Sequence, residues 1–96
     1  MSTLTLTFAL ITAAELAVAD GEPARAATAL GAADALRRRA GLTAWPLIRR
    51  REHQLVALVT NATDPATYDA AFAAGAELNA RAALAFVRGD EKARTS

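Results

Sequence analysis

The chain has 96 residues, 53% of them hydrophobic and 22% charged, with a formal net charge of +1 and no cysteine. This gives one small globular domain rather than a disordered chain, and it excludes disulfides, thiolate metal sites and cysteine nucleophiles. A charge so near zero favours neither a heavily nucleic-acid-coated protein nor an acidic solvating one, and a reducing, cytoplasmic setting fits. Twenty-seven residues are alanine. Alanine is the best helix former and gains little in a strand, so the expected fold is all-α. It also buries little area, which predicts a thin core held by close helix approach, with a few Leu and Phe supplying bulk.

In chain order, the first segment opens on an alternation of Leu4, Leu6, Phe8 and Leu10 with Thr3, Thr5, Thr7 and Ala9. From Leu6 onward, Leu6, Leu10, Ala13, Ala14 and Ala17 keep helical spacing, which predicts a helix from about Leu6 to Ala19 with a frayed or extended start. The apolar run from Leu4 to Ala14 has the length of a signal-peptide core. However, Met1-Ser2-Thr3 carries no positive charge, and Glu15 and Asp20 put charges directly after the run, so neither export nor a membrane span is expected.

Asp20-Gly21-Glu22-Pro23 ends one helix and starts the next, giving a tight helical hairpin. The second helix runs from Pro23 to about Arg39, with Ala26, Ala29, Leu30, Ala33 and Leu36 on one face. Gly31 costs up to about 1 kcal/mol there relative to Ala, so it marks a place where another backbone comes close. Residues 40–45 form a loop, and Pro46 opens a third helix with Ile48, Leu55, Leu58, Val59 and Ala62 inward. Asp64-Pro65 starts a fourth, holding Tyr68, Ala71, Phe72 and Gly75 on one face. Asn79 caps a short fifth helix that turns Ala83, Phe86 and Val87 inward and closes at Gly89. The single domain is expected over residues 1–89, with 90–96 as a disordered tail.

Small residues at Ala14, Ala26 and Ala33, with Gly21 at the turn and Leu30 between, make the first hairpin tetratricopeptide-like. Ala13 and Ala17 depart from that pattern, as does Arg38 where the closing Pro would stand. Over about Leu10 to Arg88 the chain also resembles the helical repeat region of large ATP-binding LuxR-type transcriptional regulators. The runs Ala14 to Ala27 and Leu30 to Arg37 carry this resemblance. So do Trp45-Pro46, Arg49 to Glu52, Asp64-Pro65, Phe72 to Gly75, and Leu78 before Ala83. It implies a scaffold and interaction segment without the ATPase module or the helix-turn-helix of those proteins, and it transfers no catalytic residue.

Two arginine triplets, Arg37-Arg38-Arg39 and Arg49-Arg50-Arg51, flank the Trp45 loop. As a phosphate or acidic-partner patch, Arg38, Arg39, Trp45, Arg49 and Arg50 would act together. As ordinary surface charge, the first triplet complements the negative end of the second helix and the second pairs with Glu52 and other carboxylates. Trp45 reads either as a partner anchor or as a lid over the thin core. His53, the only histidine, reads as a solvent-facing helix residue. Asp64 and Asp69 diverge around a helix, and the glycines form no phosphate loop, so no enzyme, metal, cofactor or small-molecule ligand is expected.

Apolar residues spread around most of the first helix, more than one neighbouring helix can cover. Leu4, Leu6, Phe8 and Ile11 are therefore the candidate self-association residues, the partner being a second copy or an upstream repeat of a regulator chain. These features predict a non-catalytic protein–protein interaction module. The alternative is a small nucleic-acid-associated regulatory protein using the two arginine triplets.

Overall fold

Serine and aspartate before a helix accept its unpaired N–H groups, and proline fits its first position. These signals set most of the helix starts. The computed structural model describes residues 2–41 and 46–95, with the backbone alone for residues 47 and 90–95, and it is all-helical. The five helices are α1 (Thr3–Ala19), α2 (Pro23–Arg39), α3 (Pro46–Ala62), α4 (Pro65–Ala76) and α5 (Ala80–Thr95). Among the described residues, no helix is long and apolar enough to cross a membrane.

The alternation at the N-terminus does not make a strand or a frayed start. The Ser2 hydroxyl accepts the Thr5 N–H at 3.1 Å, and the Thr7 hydroxyl donates to the Thr3 carbonyl, so α1 is helical from Thr3. Its other end closes on Gly21, at φ +74°, where Glu22 N–H reaches the Ala17 carbonyl and Gly21 N–H the Val18 carbonyl. This Schellman turn folds α2 back along α1. Asp64 accepts the Thr67 N–H at the start of α4, and Asn79 accepts the Ala82 N–H at the start of α5. At the far end, α5 runs through Gly89 to Thr95. The stop expected at Gly89 is absent, and residues 90–95 carry helical backbone where the sequence suggests a disordered tail.

Helix α2 is the centre of the molecule. Ala26, Ala29, Leu30, Ala33 and Leu36 are buried as expected, and so are Ala27, Gly31, Ala32 and Ala35, because α1 packs on one side and α4 on the other. Gly31 and Gly75 make the second contact possible. A Cβ on Gly31 would overlap the Phe72 carbonyl, and one on Gly75 would overlap the Thr28 carbonyl. The backbone approach expected at Gly31 is thus made by α4.

Helices α3 and α5 lie against the hairpin. Helix α3 buries Ile48, Leu55 and Val59, whereas Leu58 and Ala62, both expected inward, face solvent. Leu58 lies about 100° around the helix from Val59, outside the stripe that meets the hairpin. Helix α5 buries Ala83 and Val87 and half-buries Phe86, over whose ring the Arg25 guanidinium sits at 4.6 Å. Ten of the nineteen buried hydrophobic residues among those described are alanine, so the core is thin and close-packed.

Candidate functional site

The proposed self-association residues do not share one surface. Ile11 is fully buried and Leu6 is 4% exposed, both within the chain's own core, so neither can meet a second chain in this arrangement. The physical reason is that α1 is covered by α2, α3 and α5 together, not by α2 alone. Leu4 remains 37% exposed and Phe8, one turn further on the same side, is half-buried against the core. What is left of the candidate surface is therefore the N-terminal end of α1.

The arginine triplets are divided among several tasks. Arg37 forms a two-pronged ion pair with Glu52 of α3, its Nη2 lying 3.1 Å from Oε2, and also reaches Asp34 at 3.3 Å. The Arg37 and Glu52 side chains are only 15% and 14% exposed. Arg38 donates to Asp34 at 2.8 Å while staying solvent-exposed. Arg39 crosses to the end of α4 and donates to the carbonyls of Ala76 and Leu78 at 2.5 and 2.9 Å. These carbonyls sit at a helix C-terminus, where unpaired acceptors and the helix dipole both favour a cation.

Arg51 pairs with Glu15 of α1 at 2.5 Å. The Glu15 hydrogen bond, opposed by a little burial, raises the guanidinium above its already high ordinary value, and it stays charged. Arg49 and Arg50 are exposed, and no ion pair engages either among the described residues. Trp45, whether lid or anchor, lies outside the described residues. The expected pairing of the second triplet with Glu52 is replaced by a crossed arrangement, in which neighbours Arg51 and Glu52 reach α1 and α2 respectively. His53 is exposed, as expected.

Tyr68 stacks on Phe72 at 5.8 Å between ring centroids, and burial, then the charges of Asp69 and Asp34, push its phenol above the usual value. Among the described residues, no buried side-chain polar atom lacks a hydrogen bond and no group of acidic and histidine residues could hold a metal.

Two surface features go beyond what the sequence suggested. One is Leu58, 54% exposed on α3. The other is a shallow groove of about 620 Å³ along α5, lined by Arg81, Leu84, Ala85, Arg88 and Gly89. The i, i+3, i+4, i+7 spacing of its first four residues is the sequence signal for that face.

No family model, curated protein or solved structure is significantly similar to the chain.

Proposed function

We propose that the chain is a non-catalytic protein–protein interaction or scaffold module, akin to the repeat region of LuxR-type regulators, that acts in the cytoplasm and self-associates through its first helix. The observation that carries this reading is the Leu4–Phe8 edge. Leu4 is 37% exposed at the end of α1 and Phe8 beside it is half-buried against the core, while α2, α3 and α5 pack along the helix. The use made of the charged residues agrees with it. Glu15, Arg37, Arg51 and Glu52 hold helices to one another, Asp34 pairs with Arg37 along α2, and Arg39 caps α4. A hydrophobic edge of this kind gains from being covered by a second copy or by a preceding repeat.

Light scattering during size-exclusion chromatography tests the reading. The wild-type chain is expected to elute at a mass above its 10.0 kDa, and Leu4→Asp to return it toward that value. A wild-type monomer at micromolar concentration rules out self-association through the first helix.

A second reading keeps Arg49 and Arg50 as a phosphate contact, because they alone of the six triplet arginines have no ion-pair or capping role among the described residues. It predicts salt-sensitive retention on DNA that Arg49→Glu with Arg50→Glu abolishes.

A further inference from the structure

The outer face of α4 is acidic and flat. Asp69, Ala70, Ala73, Ala74 and Glu77 are all exposed, while Gly75 on the opposite side is buried against α2. The two carboxylates stand eight residues apart, about 12 Å along the axis, with only methyl groups between them. The outer face of α5 is its counterpart. Arg81 and Arg88 are exposed, stand two turns or about 10.5 Å apart, and frame half-buried Leu84 and the small residues Ala85 and Gly89. Among the described residues no ion pair engages Asp69, Glu77, Arg81 or Arg88.

We propose that the α5 groove of one copy receives the α4 face of another, Arg81 and Arg88 meeting Glu77 and Asp69 while Leu84 lies on the alanine surface. Three observations on the two faces fit together. Their charges are opposite and similarly spaced, the alanines let a helix approach closely, and Leu84 supplies an apolar residue that the flat α4 face can cover. Because the surfaces differ, the contact is head-to-tail, and copies add in a chain or close into a ring. One helix face on another buries less than a standard stable interface, so the association is weak and concentration-dependent. Its charges lie at the rim, so added salt weakens it. This assembly uses none of the residues of the first-helix reading.

Charge reversal tests it with full-length protein. Sedimentation velocity from micromolar to millimolar concentration is expected to show wild-type mass rising with concentration beyond its micromolar value. Arg81→Glu with Arg88→Glu should abolish the rise, and Asp69→Arg with Glu77→Arg should do the same. An equimolar mixture of the two variants should restore it, because each reversed face then meets a complementary one. Misfolding cannot produce that rescue, and circular dichroism checks the helical content of each variant. A wild-type chain monomeric throughout, variants that assemble like wild type, or a mixture that stays dissociated each overturn the inference. Assembly lost in Leu4→Asp but kept in both charge variants overturns it too, and leaves the first-helix reading standing.

Discussion

Gly31 of α2 lies against the Phe72 backbone of α4 and Gly75 of α4 against the Thr28 backbone of α2, and neither has room for a side chain. The obstacle in each case is backbone of the opposite helix, which cannot rotate aside as a side chain could. Alanine raises intrinsic helix propensity at both positions by up to about 1 kcal/mol, yet the overlap should prevail. Gly31→Ala and Gly75→Ala are each expected to lower stability by about 1 to 3 kcal/mol in urea denaturation. Gly89 is the internal comparison. A Cβ there meets nothing within 4 Å, so Gly89→Ala should stabilise α5 by up to about 1 kcal/mol.

The two ion pairs that tie α3 to the hairpin should differ in strength. Arg37 and Glu52 are 15% and 14% exposed, against 32% and 42% for Arg51 and Glu15. Double-mutant cycles to alanine are expected to give a coupling of about 1 to 2 kcal/mol for the first pair. About 0.5 kcal/mol or less is expected for the second, and salt should reduce the second more. Equal couplings would mean that exposure does not set the strength of these pairs.

Asp64 contributes a pH-dependent cap to α4. Hydrogen bonds from the Thr67 hydroxyl and then its N–H hold this carboxyl below its ordinary value of 3.8. A depressed folded value means that the contribution is complete above the unfolded value and is lost as pH falls through the folded one. NMR titration should therefore place the Asp64 midpoint below 3.8, and Thr67→Ala should move it upward.

Tyr68 should show the opposite slope at high pH. Burial raises its phenol above 10.0, so the folded state keeps its proton longer than the unfolded state does. Stability from the neutral phenol is then full below the unfolded value and declines as pH rises through the folded one. Tyr68 is the only tyrosine, so phenolate absorbance reports it directly. Its midpoint should lie above 10.0 in the folded protein and fall on unfolding in urea.

Local chemistry made the helix boundaries legible. Gly21 with Pro23, Pro46, Asp64 with Pro65, and Asn79 each act within a few residues, and each set an end where the sequence placed it. Gly31 could be read as a close approach because an interior helical glycine is costly without one. Its counterpart could not be read, since periodicity tells which face is apolar and not which helix will cover it. The same limit explains Leu6 and Ile11. An apolar circumference on α1 looks like a surface needing a partner until α3 and α5 are found lying on it. Arg39 was hidden for a related reason, because its acceptors are main-chain carbonyls, which every residue has.

Gly31 and Gly75 lie on opposite sides of the whole of α3 in the chain. The α1–α2 hairpin closes through a short local turn, whereas α4 can reach α2 only after the chain has gone out through α3 and returned. Contacts that close long loops come at a greater entropic cost than local ones, so α4 docking is expected to come after hairpin formation in folding. That cost grows slowly, by about 0.6 kcal/mol for each doubling of loop length. The connection between α2 and α3 should therefore accept inserted residues at small cost, whereas the two-residue step after α3 carries the Asp64 cap, and one added methyl at either glycine should not be accepted.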